Sequence, residues 1–323
     1  MSAIITTTTR AAVVNGFGAP DVLEVQEIQR GGPRGGEVQI LVGAAAVNPI
    51  DLQTRRGSAI PAEDARFPMV LGWDVAGTVA ALGEDVGGFA VGDRVAAMTF
   101  QPSDQNGTYA ERLNLAAGLL APIPDGLSLE QAATLPLAGL TASQLLARVA
   151  QPAGASLLVN APTGAVGRLV VQLAVSTGLR VIGVARPERR DDVLALGAEH
   201  VVERGDFHAA VRDLNPDGVD AAIDMVGGDV AWTTFRSVRD GGAYATVVLP
   251  YNDDTGPFGS ERGVRVAQVT VEPNTPELTR LLHLAADGVL TTVIEQTFPL
   301  TDVAEAHRRQ AAGGLTGKLV LVP

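Results

Sequence analysis

Two patterns of apolar residues divide the chain. Over the first third, short segments alternate in part between apolar and polar residues, with glycines and prolines between them; examples are Val38–Val42, Gly77–Leu82 and Gly92–Met98. Short alternating segments between turns are typical of antiparallel strands. We therefore predict a small antiparallel β-barrel or sandwich. It ends where the residues Ile123–Gly126 interrupt the pattern, and a helix that Ser128 caps follows.

From about residue 157 onwards, apolar strand candidates alternate with helical segments. The strand candidates are Leu157–Asn160, Gly178–Ala185, His200–Val202, Asp220–Val226, Ala243–Val248 and Val264–Val271. Such alternation predicts a parallel sheet covered by helices on both faces. The remaining predicted elements are a helix at Glu277–Asp287, a strand at Val293–Phe298, a helix at Val303–Ala311 and a strand at Lys318–Val322.

The first strand of this region leads into a turn that contains glycines. A strand, a tight turn and a helix open a dinucleotide-binding unit, because the free N–H groups and the positive end of the helix attract a pyrophosphate. We expect Gly164 to let the backbone approach the phosphates and Gly167 to let the helix pack closely on the strand. The intervening cofactor-binding candidates are Thr163, Ala165 and Val166. Pro162 stands where the pattern G-x-G-x-x-G has its first glycine, so an ordinary strand–helix turn is the alternative.

The end of the second strand bears on the choice of cofactor. Proteins that bind NAD usually place an acid there, to hold the ribose 2′-hydroxyl. Here Ala185 and Arg186 occupy that region. A guanidinium group pairs with a phosphate that an acid would repel. We therefore predict NADPH rather than NADH, with Arg186, Arg189 and Arg190 as its ligands; for the last two, solvated positions at a helix start are an equal alternative.

Composition limits the possible functions. With 323 residues, 46% hydrophobic and 19% charged, the chain is typical of two domains with sizeable cores. Its net charge of −12 argues against nucleic-acid binding. There is no cysteine, and the four histidines lack metal-ligand spacing, so we predict no metal site. We find neither a secretory signal nor an apolar span of membrane length and expect a cytoplasmic protein that binds no membrane.

Eight short segments, specific in their order and spacing, carry a family resemblance. They are Val47–Asp51, Val70–Gly77, Val91–Val95, Gly107–Glu111, Leu135–Ala142, Ala161–Gly167, Leu196–Ala198 and Gly317–Leu321. Together they resemble the zinc-independent branch of the medium-chain dehydrogenase/reductase superfamily, the quinone oxidoreductase or zeta-crystallin-like group.

This resemblance implies an α/β protein of two domains. A GroES-like β-barrel domain would comprise residues 1–127 and 290–323, and an inserted Rossmann domain with a doubly wound parallel sheet would comprise residues 128–289. The resemblance further implies NAD(P)H in the cleft between the domains and hydride transfer to a quinone or an activated alkene or carbonyl. It also implies a homodimer that pairs the sheet edges near Val264–Val271.

Zinc-dependent relatives bind their catalytic metal through a cysteine, a histidine and an acid, and the corresponding places here look like Asn48, Trp73 and Asp74. We expect Asp74 to be structural. Without a metal, hydride transfer depends on positioning and polar stabilisation. The catalytic candidates are Asn48 as an amide donor, Asp51 as an orienting or proton-relaying group, and Gln53, which stands where some relatives have a tyrosine. The alternative is that Asn48 and Asp51 only cap and tie down a loop.

Five more residues are cofactor-binding candidates: Thr141, Val226, Leu249, Tyr251 and Lys318. The resemblance places Thr141 near the nicotinamide, with helix packing as the alternative. Val226 and Leu249 follow the fourth and fifth strands, where ligands meet strand carboxyl ends. Tyr251 is a candidate for covering the nicotinamide or for a solvated loop position. Lys318, the only lysine, is a candidate for phosphate or substrate contact or for a surface position beside a strand.

The sequence leaves three functions open. The first is an NADPH-dependent reductase of quinones or α,β-unsaturated carbonyl compounds. The second is an enoyl-thioester reductase of polyketide or lipid assembly, although a thioester carrier would favour a basic entrance that this acidic chain does not show. The third is an NADPH-binding protein without turnover.

Overall fold

The computed structural model describes residues 6–100, 105–248 and 261–323. The chain forms two compact units. The first comprises Met1–Leu137, Glu272–Gly288 and Thr292–Pro323, and the second comprises Ala138–Val271 and Val289–Thr291. Both ends of the chain therefore contribute to the first unit, which also takes in residues 128–137 and 272–288 that the sequence analysis assigned to the second domain.

The first unit is built mainly from antiparallel strands. They are β1 (Thr6–Val14), β2 (Leu23–Gly31), β3 (Glu37–Val47), β4 (Met69–Val70), β5 (Asp74–Leu82), β6 (Arg94–Met98), β7 (Arg112–Ala116), β8 (Ala121–Pro122), β15 (Ile294–Pro299) and β16 (Lys318–Val322). One sheet has the order β2-β1-β4, and the other has the order β15-β16-β3-β5-β6-β8, with β7 also paired to β3. Apolar side chains of β3, β5 and β6 alternate into a shared core, as the period of two predicted.

The pairing of β16 with β3 joins the last strand to the early part of the chain. These strands run antiparallel, with Leu319 opposite Val47. The start of the last strand therefore lies beside the end of β3, although the two are separated by most of the sequence.

The second unit contains a parallel sheet. Its strands are β9 (Ser156–Asn160), β10 (Arg180–Ala185), β11 (His200–Glu203), β12 (Val219–Asp224), β13 (Val238–Thr246) and β14 (Arg265–Gln268). Their order is β11-β10-β9-β12-β13-β14, and every pairing is parallel. All five residues of β9 are buried, which explains the apolar run Leu157–Val159 at its centre. The strand order changes direction between β9 and β12, where ligands of such sheets bind.

Helices complete both units. They are α1 (Pro49–Arg56), α2 (Leu129–Ala133), α3 (Pro136–Val149), α4 (Ala165–Ser176), α5 (Arg190–Ala195), α6 (His208–Leu214), α7 (Gly228–Arg236), α8 (Thr275–Ala286) and α9 (Val303–Ala312). Ser128 caps α2, since its hydroxyl accepts from the N–H of Gln131, so that prediction is confirmed. Among the described residues, no helix is long and apolar enough to cross a membrane.

Candidate functional site

The turn between β9 and α4 has the shape that its glycines require. Ala161 adopts a left-handed backbone conformation with φ +49°. A Cβ on Gly167 would lie 2.1 Å from the carbonyl oxygen of Ala161, so the close packing predicted for this glycine is confirmed. A Cβ on Gly164 would meet nothing closer than 3.5 Å. The packing of the described residues therefore does not require a glycine at this position, and the predicted approach of a ligand stays a prediction.

The amino end of α4 is open to an anion. Gly164 is the N-cap residue, no side chain of the described residues caps the helix, and its first turn carries no acid. The first N–H groups of a helix have no partner within it, and they point towards any ligand at this end. Thr163, Ala165 and Val166 are half-buried around this end, so the structure brings the predicted loop residues together.

The three predicted arginines follow β10, and each contacts a neighbour. Arg186 lies 3.4 Å from the carboxylate of Glu188, with both side chains more than half exposed. Arg189 pairs with Asp192 at 2.9 Å, and Arg190 donates to the carbonyl of Val201 at 2.9 Å. Arg190 is therefore hydrogen-bonded to β11, whereas the contact of Arg186 within the described residues is an exposed ion pair of small energy.

A small concavity of about 70 Å³ lies at the carboxyl ends of the parallel strands. It is lined by Asn160, Ala161, Val184, Arg204, Gly205, Phe207, Val226 and Val230. Arg204 was missed by sequence reasoning, although it directly follows β11 and its N–H donates to the carbonyl of Ala185 at 3.1 Å. Its position after a strand of the parallel region was the available signal.

The other cofactor-binding candidates of the second unit differ in their exposure and location. Val226 is 43% exposed and lines the concavity, as its position after β12 suggested. Thr141 is buried within α3, which agrees with the alternative of helix packing. Leu249 and Tyr251 lie outside the described residues.

In the first unit, Asn48 and Asp51 begin α1. Asn48 is the N-cap residue, and Pro49 occupies the first helical position, where the absence of an N–H is tolerated. The carboxylate of Asp51 accepts from the N–H of Asn48 at 2.7 Å, which is half of a capping box. Gln53, two residues further on, faces another side of the helix and is exposed, so the structure does not bring it together with the other two.

Lys318 joins this cluster from β16. Its ammonium donates to Oδ1 of Asn48 and lies 3.0 Å from Oδ2 of Asp74. Lys318 is 4% exposed, so the alternative of a surface lysine is wrong. The antiparallel register of β16 and β3 produces this contact, because it sets Lys318 beside the residue that follows β3.

Both N–H donors of the Asn48 side-chain amide are used by the protein, and its oxygen has one partner. Its Nδ2 donates to Asp74 at 2.9 Å and to the carbonyl of Ala46 at 3.3 Å, while its Oδ1 accepts from Lys318. Asp74 also accepts from the N–H of Leu137 at 2.6 Å, so its predicted structural role is confirmed. Asn48 and Asp51 are both buried and tie down the start of α1, as the alternative interpretation held. A direct role of either one in catalysis stays a prediction.

Asp51 has a second partner, which the sequence analysis did not identify. The Tyr109 hydroxyl donates to its Oδ2 at 2.8 Å, while Oδ1 is buried without a hydrogen bond in the described structure. Burial raises the pKa of Asp51 to about 7, because the hydrogen bonds from Asn48 and Tyr109 offset only part of the lost hydration. Burial likewise raises the pKa of Tyr109. Tyr109 belongs to a segment that carries the family resemblance, but nothing in its spacing pointed to Asp51.

The residues at the positions that correspond to zinc ligands are not suited to bind a metal ion. Asn48 and Trp73 offer no thiolate or imidazole, and Lys318 already neutralises Asp74. Trp73 is 3% exposed and packs edge-on against Phe100, with ring centroids 5.5 Å apart. No group of three potential metal ligands occurs among the residues that the structure describes.

Two protein families match the chain. Residues 34–125 match the alcohol dehydrogenase GroES-like domain, and residues 196–321 match the zinc-binding dehydrogenase family. The GroES-like match lies in the first unit, while the other match extends over the later strands of the parallel sheet and the C-terminal strands. The predicted α/β fold, with a GroES-like domain and a Rossmann-type parallel sheet, is confirmed.

Individual relatives align along nearly the whole chain. A quinone oxidoreductase of Pseudomonas aeruginosa is 33% identical, with 95% of this chain and 97% of the relative covered. A 2-haloacrylate reductase of a Burkholderia species is 30% identical, with 97% and 98% covered. A phenolphthiocerol/phthiocerol polyketide synthase polypeptide of Mycobacterium tuberculosis is 32% identical over 97% of this chain, which spans 15% of that much longer polypeptide.

A solved structure agrees with these relatives. The quinone oxidoreductase of Coxiella burnetii superposes with a TM-score of 0.88 at 31% identity, covering 98% of this chain and 100% of that one. The fold, the strand order and the sequence relatives lead to one assignment. The chain belongs to the quinone oxidoreductase group of the medium-chain dehydrogenase/reductase superfamily, the zinc-independent branch.

Proposed function

We propose that the protein is an NADPH-dependent reductase that delivers hydride to a quinone or an α,β-unsaturated carbonyl compound without a metal. The family supports an oxidoreductase that uses a nicotinamide cofactor. One observation carries the proposal: the uncapped, acid-free amino end of α4 opens at the switch point of the parallel sheet, beside the concavity that contains Arg204. A dinucleotide fits this combination, because it carries a pyrophosphate and a base.

The choice of NADPH over NADH rests on the end of β10. Ala185 pairs with Glu203 in the sheet, so Arg186 and Arg204 are the next residues on neighbouring strands. The residue that follows β10 is thus a cation, where an acid would select NADH. Glu188 is the only acid that contacts Arg186 in the described structure, and a 2′-phosphate would compete with it for the guanidinium.

When bound, the cofactor supplies the hydride. The contribution of this chain is to bind and orient it at α4 and to exclude a metal from the mechanism, since the Asn48 and Asp74 positions are closed by Lys318. In our proposal the cluster around Asp51 acts by holding the start of α1 rigid. We also propose that Asn48, Asp51 or Gln53 contacts the acceptor directly.

A second candidate is an enoyl-thioester reductase. The observation that favours it is the alignment of 97% of this chain with part of a polyketide synthase. Both candidates reduce an activated double bond with hydride and need no metal. They differ in the acceptor: the thioester candidate requires a carrier-linked enoyl group.

The first test measures oxidation of NADPH and NADH with 1,4-benzoquinone, a simple enone and crotonyl thioester. We expect turnover with NADPH that Arg186→Glu reduces, while turnover with NADH is retained. Preference for the thioester would favour the second candidate. Tight NADPH binding without oxidation by any acceptor would contradict the reductase proposal and favour a binding protein.

The remaining expectations concern assembly and location. We propose a homodimer through β14, which is an edge strand of the parallel sheet. Light scattering tests it: a monomer mass at micromolar concentration would contradict the proposal. We also propose a cytoplasmic location, which cell fractionation tests.

A further inference from the structure

A buried pair of side chains joins the carboxyl ends of β9 and β12. Asn160 is 1% exposed and Asp224 is 0% exposed. Nδ2 of Asn160 donates to Oδ1 of Asp224, and the hydroxyl of Thr246 donates to Oδ2 of Asp224 at 3.2 Å. The two strands are neighbours at the point where the strand order changes direction. The pair therefore lies beneath the switch point of the sheet.

This pair holds the loop that comes after β12. The N–H of Met225 donates to Oδ1 of Asn160 at 2.7 Å. The N–H of Val226 donates to Asp224 at 3.1 Å, and that of Gly227 donates to it at 3.2 Å. Three successive N–H groups thus point towards the pair. In a trans peptide the carbonyl points opposite to the N–H, so the carbonyls of Met225 and Val226 face away from it.

The same loop forms one wall of the proposed cofactor site. Val226 lines the concavity together with Ala161 and Arg204. Gly227 has φ +80°, and a Cβ there would lie 2.7 Å from a side-chain carbon of Val248. The loop is therefore constrained from both sides, and it offers apolar surface and backbone acceptors to a ligand.

We propose that Asp224, supported by Asn160, is a positioning residue of the dinucleotide site. It is buried and does not contact the cofactor; it acts by fixing the loop 225–227, so that the wall of the site exists before the dinucleotide arrives. This inference rests on the proposed function. In Asp224→Asn, an amide NH2 group would replace one of the two accepting oxygens beside the N–H groups of Val226 and Gly227, so the hold on these two residues would weaken while Asn160 still accepts from Met225.

The test is to titrate wild type and two variants with NADPH and to measure the dissociation constant from the change in NADPH fluorescence. Asp224→Asn should weaken NADPH binding by about tenfold or more and raise the KM for NADPH similarly, with kcat at saturating NADPH changed less than about threefold. Asp220→Asn is the matched control. Asp220 is on the same strand but near its amino end, where it accepts from the N–H of Ser156 at 2.8 Å and from Arg239 at 2.8 Å.

The control should lose stability in urea yet bind NADPH within about twofold of wild type, because its contacts lie far from the loop along the strand. Folded Asp224→Asn with wild-type affinity, or with the same loss as Asp220→Asn, would overturn the proposal. If Asp224→Asn does not fold, Thr246→Val takes its place, since it removes one donor to Asp224 and keeps the side-chain shape. A folded Thr246→Val should bind several-fold more weakly, and wild-type affinity would overturn the proposal.

Failure of the proposed function gives a different result. If wild type binds neither NADPH nor NADH, the function and this inference fall together. If wild type binds NADPH and the Asp224 variant binds it equally well, only the inference falls.

Discussion

The buried carboxyl of Asp51 makes the stability of the first unit depend on pH. Burial raises its pKa from 3.8 to about 7, so between these values the native protein binds a proton that the unfolded chain has lost. Stability therefore falls as pH rises through this window and levels off above about pH 7. At about 1.4 kcal/mol per pH unit, and with a slope that declines as the native carboxyl itself titrates near pH 7, wild type should lose about 2 kcal/mol between pH 5 and pH 7 through this group.

Asp51→Asn removes the titrating group and keeps an oxygen that can accept from Asn48 and Tyr109. We would measure urea unfolding of wild type and variant at a series of pH values. A Trp232→Phe background leaves Trp73, which is in the same unit as Asp51, as the reporter. The stability of wild type relative to the variant should fall between pH 5 and pH 7.

His307 titrates in the opposite sense, because burial lowers its pKa to about 3 and its neutral form is favoured. Its contribution rises with pH between about 3 and 6.5 and cancels in the comparison, since both proteins carry it. A constant difference between wild type and Asp51→Asn over the whole range would refute the assignment.

Three further predictions concern other parts of the site. Gly167→Ala should lower the free energy of unfolding by about 1–3 kcal/mol and weaken NADPH binding, because its Cβ would meet a carbonyl oxygen at 2.1 Å. The control is Gly164→Ala, whose Cβ has 3.5 Å available and which should keep the wild-type urea midpoint. Equal midpoints in the two variants would contradict this prediction. Lys318→Met should cost about 3–5 kcal/mol in urea unfolding, because it leaves a carboxylate buried without its cation; a loss under about 1 kcal/mol, as for an exposed ion pair, would disprove the pairing. Glu188→Gln should strengthen NADPH binding about two- to fivefold by releasing Arg186, with NADH as the control that stays unchanged.

Local patterns were enough to predict most of the architecture. The alternation of strands and helices after residue 157 predicted the parallel sheet, since β9 and β10 contain the apolar runs that a buried strand requires. Gly167 was identified correctly for the same reason: its role depends on residues within one turn of the chain.

Contacts between distant parts of the sequence were not predictable. Lys318 and Asn48 are 270 positions apart, and only the register of β16 against β3 brings them together. A lone lysine before an apolar strand is equally compatible with a surface position, so the sequence favoured the wrong alternative. Tyr109 was missed for a similar reason, because its partner Asp51 is supplied by a helix 58 positions away.

The burial of Lys318 has a practical consequence for chemical labelling. It is the only lysine in the chain, and its ammonium is enclosed by Asn48 and Asp74. A reagent that acylates amines should leave this side chain unmodified while β16 stays paired with β3. Acylation at Lys318, followed by mass spectrometry of a single peptide, would therefore report how often β16 separates from β3, with no engineered probe.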